Sequence, residues 1–313
     1  MTEEKVYYSK LLLFGEYSVI CDSMGLTVPL SRFEARWQFR DNQKDDAGIL
    51  IPDPELFRFY FFLQQLSDSK ELIAELDLAQ FEEDLKNGLY FDSTIPQGFG
   101  VGSSGALCAA VYERYQKNTI KKAISSDDGL QQLKEKLAQM ESYFHGVSSG
   151  LDPLLCYLQK PLLIKSKSSI SFVDLPEDLH FAGFSMFLID TNVVGKTGPL
   201  VNQFFEKCRK HRFYKNFVGE LIPANNQCIE ALVARDTDAL FKALFDLSSF
   251  FLAHFEAMIP VAFHELWKTG LDSGDYYLKL CGSGGGGFLL GFTRNLDAVA
   301  ANFHDKGIKI IAL

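Results

Sequence analysis

The sequence predicts an α+β protein built as two domains, and three observations carry that reading. Apolar, β-rich runs alternate with long stretches of helical spacing, so neither an all-helix nor an all-strand class fits. Residues 277–312 alternate strand, glycine loop, strand, helix and strand, close to a split β-α-β arrangement. A chain of 313 residues, 47% hydrophobic and 23% charged, has enough apolar content for two modest cores.

Taken in order, residues 10–20 are apolar and β-rich, broken by Gly15-Glu16, and residues 28–39 continue as strand. Residues 42–54 are polar and proline-marked, and residues 55–66 are aromatic and helical. The aromatic run 57–62 reads as core or as a subunit contact. A glycine-serine loop at 96–105 opens a helix over 106–117. The polar, lysine-containing stretch 120–126 follows it. Leu130, Leu133, Leu137, Met140 and Phe144 recur at helical spacing, which predicts an amphipathic helix over 129–144 with Glu141 and His145 one turn apart. Residues 145–153 form a turn that sets Asp152 among glycines and serines, and apolar runs 154–158 and 161–164 come next. A strand at 186–189 enters a threonine- and glycine-containing loop, helices dominate 200–269, and the tail supplies strands at 277–280, 288–292 and 308–312 with a helix at 296–303.

Composition narrows the partners. A formal net charge of −9 argues against nucleic acid, so any phosphate must be met locally. No apolar run approaches membrane-spanning length, and residues 1–10 lack the hydrophobic segment of a signal peptide. Six dispersed cysteines without C-x-x-C pairs read as reduced thiols in a cytoplasmic protein.

The loop P-Q-G-F-G-V-G-S-S-G-A-L from Pro96 is the strongest local signal. Gly98, Gly100 and Gly102 remove Cβ atoms where backbone amides could approach an anion, and Ser103 or Ser104 can cap the following helix, whose N-terminus favours the same charge. Gly100, Gly102 and Gly105 also satisfy G-x-G-x-x-G, but no second buried strand follows, which argues against a nicotinamide enzyme. Gly195-Lys196-Thr197 imitates the end of a P-loop with Asp190 in place of its first glycine. Neither H-R-D nor D-F-G occurs.

Three separated blocks converge: K-L-L-L-F-G-E-Y-S-V-I from Lys10, the loop from Pro96, and K-L-C-G-S-G-G-G-G-F from Lys279. In order and separation they resemble the GHMP small-molecule kinases. Within that superfamily, E-S-Y-F-H-G-V-S-S-G-L-D from Glu141 is similar to the mevalonate kinase stretch E-x-x-x-H-G-x-P-S-G-x-D, with Ser148 at the proline position. Phe245-Asp246-Leu247-Ser248 resembles its M-D-L-S helix. The resemblance implies a ribosomal S5 domain 2-like ATP-binding domain over 1–178 and a ferredoxin-like domain over 179–313, with ATP and Mg2+ bound in the cleft between them.

It further implies phosphorylation of a small-molecule alcohol, with Asp152 taking the hydroxyl proton and Lys10 holding Asp152 and stabilising phosphoryl charge. Phosphoryl transfer needs alignment and charge neutralisation more than covalent catalysis, which such residues supply. Pro96, Gly98, Gly100, Val101, Gly102, Ser103, Ser104 and Gly105 would form the nucleotide loop. Ser104 and Glu141 would hold the metal, with Ser103 a possible exchange for Ser104. Glu16, Tyr17, Thr191, Lys196, Thr197, Gly282, Ser283, Gly284 and Gly285 would line the substrate. Read without the resemblance, Asp152 caps a turn, Lys10 ends a strand in solvent, and Glu141 pairs with His145, itself a structural residue.

The favoured acceptor is mevalonate. Phosphomevalonate, a sugar, or a nucleotide-binding protein without turnover are the alternatives, and a homodimer is left open.

Overall fold

The computed structural model describes residues 5–40, 53–117, 127–166, 169–176, 179–195 and 197–313. The expected polar stretches over 42–52 and 120–126, and Lys196, lie outside them. Packing of the chain defines two compact units, 1–10 with 29–96 and 102–159, and 11–28 with 97–101 and 160–313. The boundary expected at 178/179 falls within the second unit. Strands β1 (Tyr7–Phe14) and β2 (Gly25–Phe39) are neighbours, and each contributes residues to both units.

In the first unit the latter part of β2 pairs antiparallel with β3 (Leu89–Ser93), from Ala35 opposite Ser93 to Phe39 opposite Leu89. Helix α1 (Pro54–Asp68) starts where proline at the first helical position meets a capping carboxylate, Asp53, which accepts from the amides of Glu55 and Leu56 at 3.1 Å. Its inward stripe is Leu56, Phe59, Tyr60 and Leu63, at helical spacing. The expected aromatic run therefore divides: Phe59 and Tyr60 enter the core, while Phe57 and Phe61 are exposed. Helix α2 (Leu78–Lys86) is capped by Asp77.

Helix α3 (Ser103–Tyr115) is buried along most of its length, which its small residues Gly105, Ala106, Ala109 and Ala110 permit. It packs against α4 (Asp127–His145) and α5 (Leu151–Leu158), and the leucine stripe of α4 is buried as its spacing predicts.

In the second unit the start of β2 pairs with β4 (Leu162–Ser166), which pairs with β5 (Ser169–Phe172). A four-stranded antiparallel sheet follows, made of β6 (Ser185–Asp190), β7 (Tyr276–Leu280), β8 (Phe288–Thr293) and β9 (Ile310–Ala312) in the order β7-β8-β6-β9. Between β6 and β7 run α6 (Thr197–Cys208), α7 (His211–Asn216), a π-helical turn over Phe217–Leu221, α8 (Ile222–Val233), α9 (Thr237–His254) and α10 (His264–Ser273). Helix α11 (Leu296–Asp305) joins β8 to β9. That order of strands and helices is the ferredoxin-like arrangement, with an enlarged first crossover.

Every residue of β8 is buried, and α9 and α10 pack on β7. The Phe245-Asp246-Leu247-Ser248 block lies on α9, where buried Ser248 accepts from Trp267 Nε1 of α10 at 2.8 Å. All six cysteines are free thiols. None of the described helices is long and apolar enough to cross a membrane.

The sheet has one position where only glycine fits. Gly291 of β8 faces Phe187 of β6, and a Cβ on it would stand 2.1 Å from Phe187 Cζ. Gly291→Ala is expected to lower stability by about 1–3 kcal/mol, the scale of overpacking a core, read from the urea midpoint. An unchanged midpoint would show that the Phe187 ring has room to move.

Candidate active site

In the first unit the site begins with a lysine that a strand cannot leave alone. Lys10 lies in β1 with its side chain 6% exposed, and its Nζ meets Asp152 Oδ2 at 3.0 Å. Asp152 is the second residue of α5, whose N-cap, Gly150, has a left-handed backbone and no side-chain bond. Asp152 therefore faces a cation rather than capping a turn. Gly102 makes room for the lysine stem, since a Cβ there would stand 2.6 Å from Lys10 Cγ.

Gly102 also caps α3, at φ 79° and with no side-chain hydrogen bond, which corrects the expectation that Ser103 or Ser104 caps this helix. The serines are the first two helical residues instead, so the Ser104 hydroxyl is directed away from its own backbone. It donates to Glu141 Oε1 of α4 at 3.0 Å and lies 3.0 Å from His145 Nε2. The first turn of an α-helix leaves amide hydrogens without intrahelical partners, so the start of α3 suits an anion.

Glu141 is buried, and Ser148 donates to its second oxygen, Oε2. Burial, and next the charge of Asp152, push the Glu141 carboxyl up to about 7, against the pull of the Ser148 and Ser104 hydroxyls and of Lys10. Lys10 thus faces the carboxyls of both Asp152 and Glu141. A hydroxyl and a carboxyl side by side fit Mg2+, which keeps waters and phosphate oxygens as its other ligands. Among the described residues no three His, Cys, Asp or Glu side chains form a metal-binding group, so the pair does not resemble a closed protein cage. Nearby Cys108 and Cys156 have thiols raised by burial and are unsuited to nucleophilic roles.

In the second unit the glycine run between β7 and β8 is held by backbone bonds. Gly287 N–H donates to Val193 O, Thr191 N–H and Oγ1 donate to Gly287 O, and Gly285 N–H donates to Met258 O. Gly286 has φ 154°, and a Cβ on it would stand 2.4 Å from Val193 O. Gly195 N–H donates to Gly98 O at 3.2 Å, and Gly100 approaches the carbonyl of Cys281. Val101 beside them is fully buried. The structure thus brings Gly98, Gly100, Thr191 and the loop 282–287 together.

Tyr17 and Glu16 are both bonded to protein groups of the second unit. The Tyr17 hydroxyl donates to Ser283 O at 2.6 Å, its ring packs on Phe204 and Phe255, and burial raises its pKa. Glu16 pairs with Lys279 of β7 at 2.5 Å, both side chains 1% exposed, and Lys279 Nζ also donates to Leu280 O and Leu12 O. Both residues therefore brace the strand-turn and the glycine loop. The side chain of Thr197, like Lys196, is not among the described parts. Pro96 is assigned to the first unit and the adjoining 97–101 to the second.

Three residues escaped the sequence reading: His145 as a partner of Ser104, Ser148 as a partner of Glu141, and Lys279 as a partner of Glu16. Ser148 had a signal, standing at a proline position of the motif it otherwise follows.

Residues 70–160 match the family described as GHMP kinases N terminal domain. No curated protein matches the sequence. Solved structures share the fold along nearly the whole chain. An L. major mevalonate kinase in complex with R-mevalonate is 16% identical, with a TM-score of 0.64 over 100% of this chain and 96% of that one. A Streptococcus pneumoniae phosphomevalonate kinase in complex with phosphomevalonate and AMPPNP is 16% identical, with a TM-score of 0.65 over 99% of each chain. A Lactococcus lactis galactokinase complexed with galactose is 15% identical, with a TM-score of 0.61 over 99% and 93%. Residues 70–160 thus match the GHMP kinase N-terminal domain, and the chain as a whole shares the two-domain α+β fold of these structures.

Proposed function

We propose that the protein is an ATP- and Mg2+-dependent kinase that transfers the γ-phosphate to the primary hydroxyl of mevalonate. The observation that carries this reading is the Lys10–Asp152 pair beside the Ser104–Glu141 pair. Support for the nucleotide and the acceptor comes from structures of similar fold, one holding AMPPNP with phosphomevalonate and another R-mevalonate. Phosphomevalonate and galactose are the alternatives those neighbours suggest. A cytoplasmic setting fits the same reading.

Asp152 takes the proton of the acceptor hydroxyl as its oxygen bonds to the γ-phosphorus and the bond to the bridging oxygen of ADP breaks. Lys10 orients Asp152 and meets negative charge on the moving phosphoryl group. Ser104 and Glu141 would hold Mg2+, which when bound would neutralise phosphate charge. The glycines of 98–105 bring backbone amides to the phosphates. The family resemblance also points to Thr191, the loop 282–285 and Lys196 for the acceptor, Lys196 as a positive charge for its carboxylate.

Asp152 is partly exposed, its side chain 40% accessible, so Asp152→Asn is expected to fold normally and to lose roughly 10²-fold or more in kcat, the scale of a positioned proton acceptor. Near-normal kcat would remove it from the mechanism. Lys196→Ala is expected to raise KM for mevalonate roughly tenfold, the scale of one charge-assisted contact, and an unchanged KM would count against that role. Mg2+-dependent ADP release should be measured with mevalonate, phosphomevalonate and galactose side by side, and mevalonate should give the highest kcat/KM. A higher value for another alcohol moves the assignment to that substrate. ATP binding without transfer to any of them would indicate a protein without turnover.

A further inference from the structure

Glu141 is anchored at both oxygens, and the second anchor comes from the turn after α4. Ser104 donates to Oε1 from the start of α3, while Ser148 donates to Oε2 from the turn after α4. Ser148 is itself tethered, because its Oγ accepts from Gly150 N–H at 2.9 Å. The hydroxyl hydrogen is therefore free to go to the carboxylate, and the chain direction through Gly150 into α5 fixes where it points. Proline at this position, as in the related motif, has no hydroxyl to donate.

The Ser104 oxygen is constrained in the same way. Its one hydrogen goes to Glu141, so the contact with His145 Nε2 requires an N–H from the imidazole, leaving one lone pair on Oγ for a ligand. A carboxylate and a hydroxyl on separate helices hold a cation well only if neither can swing away. Partners behind metal ligands commonly do this work, and their loss typically weakens metal binding about 10–100-fold.

We propose that Ser148 is a positioning residue for Glu141, fixing its carboxylate so that Glu141 and the Ser104 hydroxyl present oxygen to one divalent cation. This rests on the nucleotide-dependent reading of the site given above. Ser148 touches neither substrate nor metal and acts through Glu141 alone.

The test is calorimetric binding of AMPPNP, with Mg2+ and separately with EDTA, to the wild type, Ser148→Ala and Ser148→Thr. Ser148→Ala should weaken the Mg2+ complex about tenfold while metal-free AMPPNP binding stays at the wild-type value, and Ser148→Thr should restore the Mg2+ complex. Should the alanine variant not fold, Ser148→Cys keeps the shape with a weaker donor and must show the same selective loss. Equal affinity for Mg2+·AMPPNP in wild type and Ser148→Ala overturns the proposal. So does an equal loss with and without Mg2+, which would mark Ser148 as merely structural. A wild type that binds AMPPNP no better with Mg2+ than with EDTA overturns the kinase reading itself, and this inference with it.

Discussion

The first unit is organised around the need to give a buried lysine a carboxylate. Lys10 sits in a strand with little access to water, where the Asp152 carboxylate meets its ammonium at 3.0 Å. Its partner must come from the start of α5, its stem must fit against Gly102, and Glu141 must stand close enough for the charges to interact. These demands fix β1, α3, α4 and α5 to one another around a small set of polar atoms. The chemistry proposed for the site uses the same atoms.

The second unit solves a related problem with backbone instead of charge. The loop after β7 uses positive-φ glycines and carbonyl contacts from 193, 258 and 287 to hold one shape. Tyr17 and Glu16 reach it from the strand-turn that follows β1, and the loop is thereby held beside β7 and the fully buried β8.

Much of this was legible in the sequence. The leucine spacing of α4 and the alternation of the tail gave the elements, and Lys10, Ser104, Glu141 and Asp152 stood in blocks whose order carried meaning. Local rules failed where distant atoms won. A serine ahead of a helix is normally its cap, yet Ser104 bonds across 37 residues to Glu141. The break read at Gly15-Glu16 is present, with Gly15 and Tyr17 at positive φ, but the apolar residues after it form a 3-10 turn over Ser18–Cys21 and not more strand. The eight residues of α5 are too few for a helical period to separate them from a buried strand. A discontinuous unit is likewise invisible to any reading that cuts the chain once.

The Glu16–Lys279 pair has one more consequence. Both side chains are almost completely shielded from solvent, so counter-ions cannot reach between them. Ionic strength that loosens exposed pairs such as Lys268–Asp272 leaves this tie intact, and the glycine loop keeps its anchorage across the salt range a cell or a purification buffer would impose.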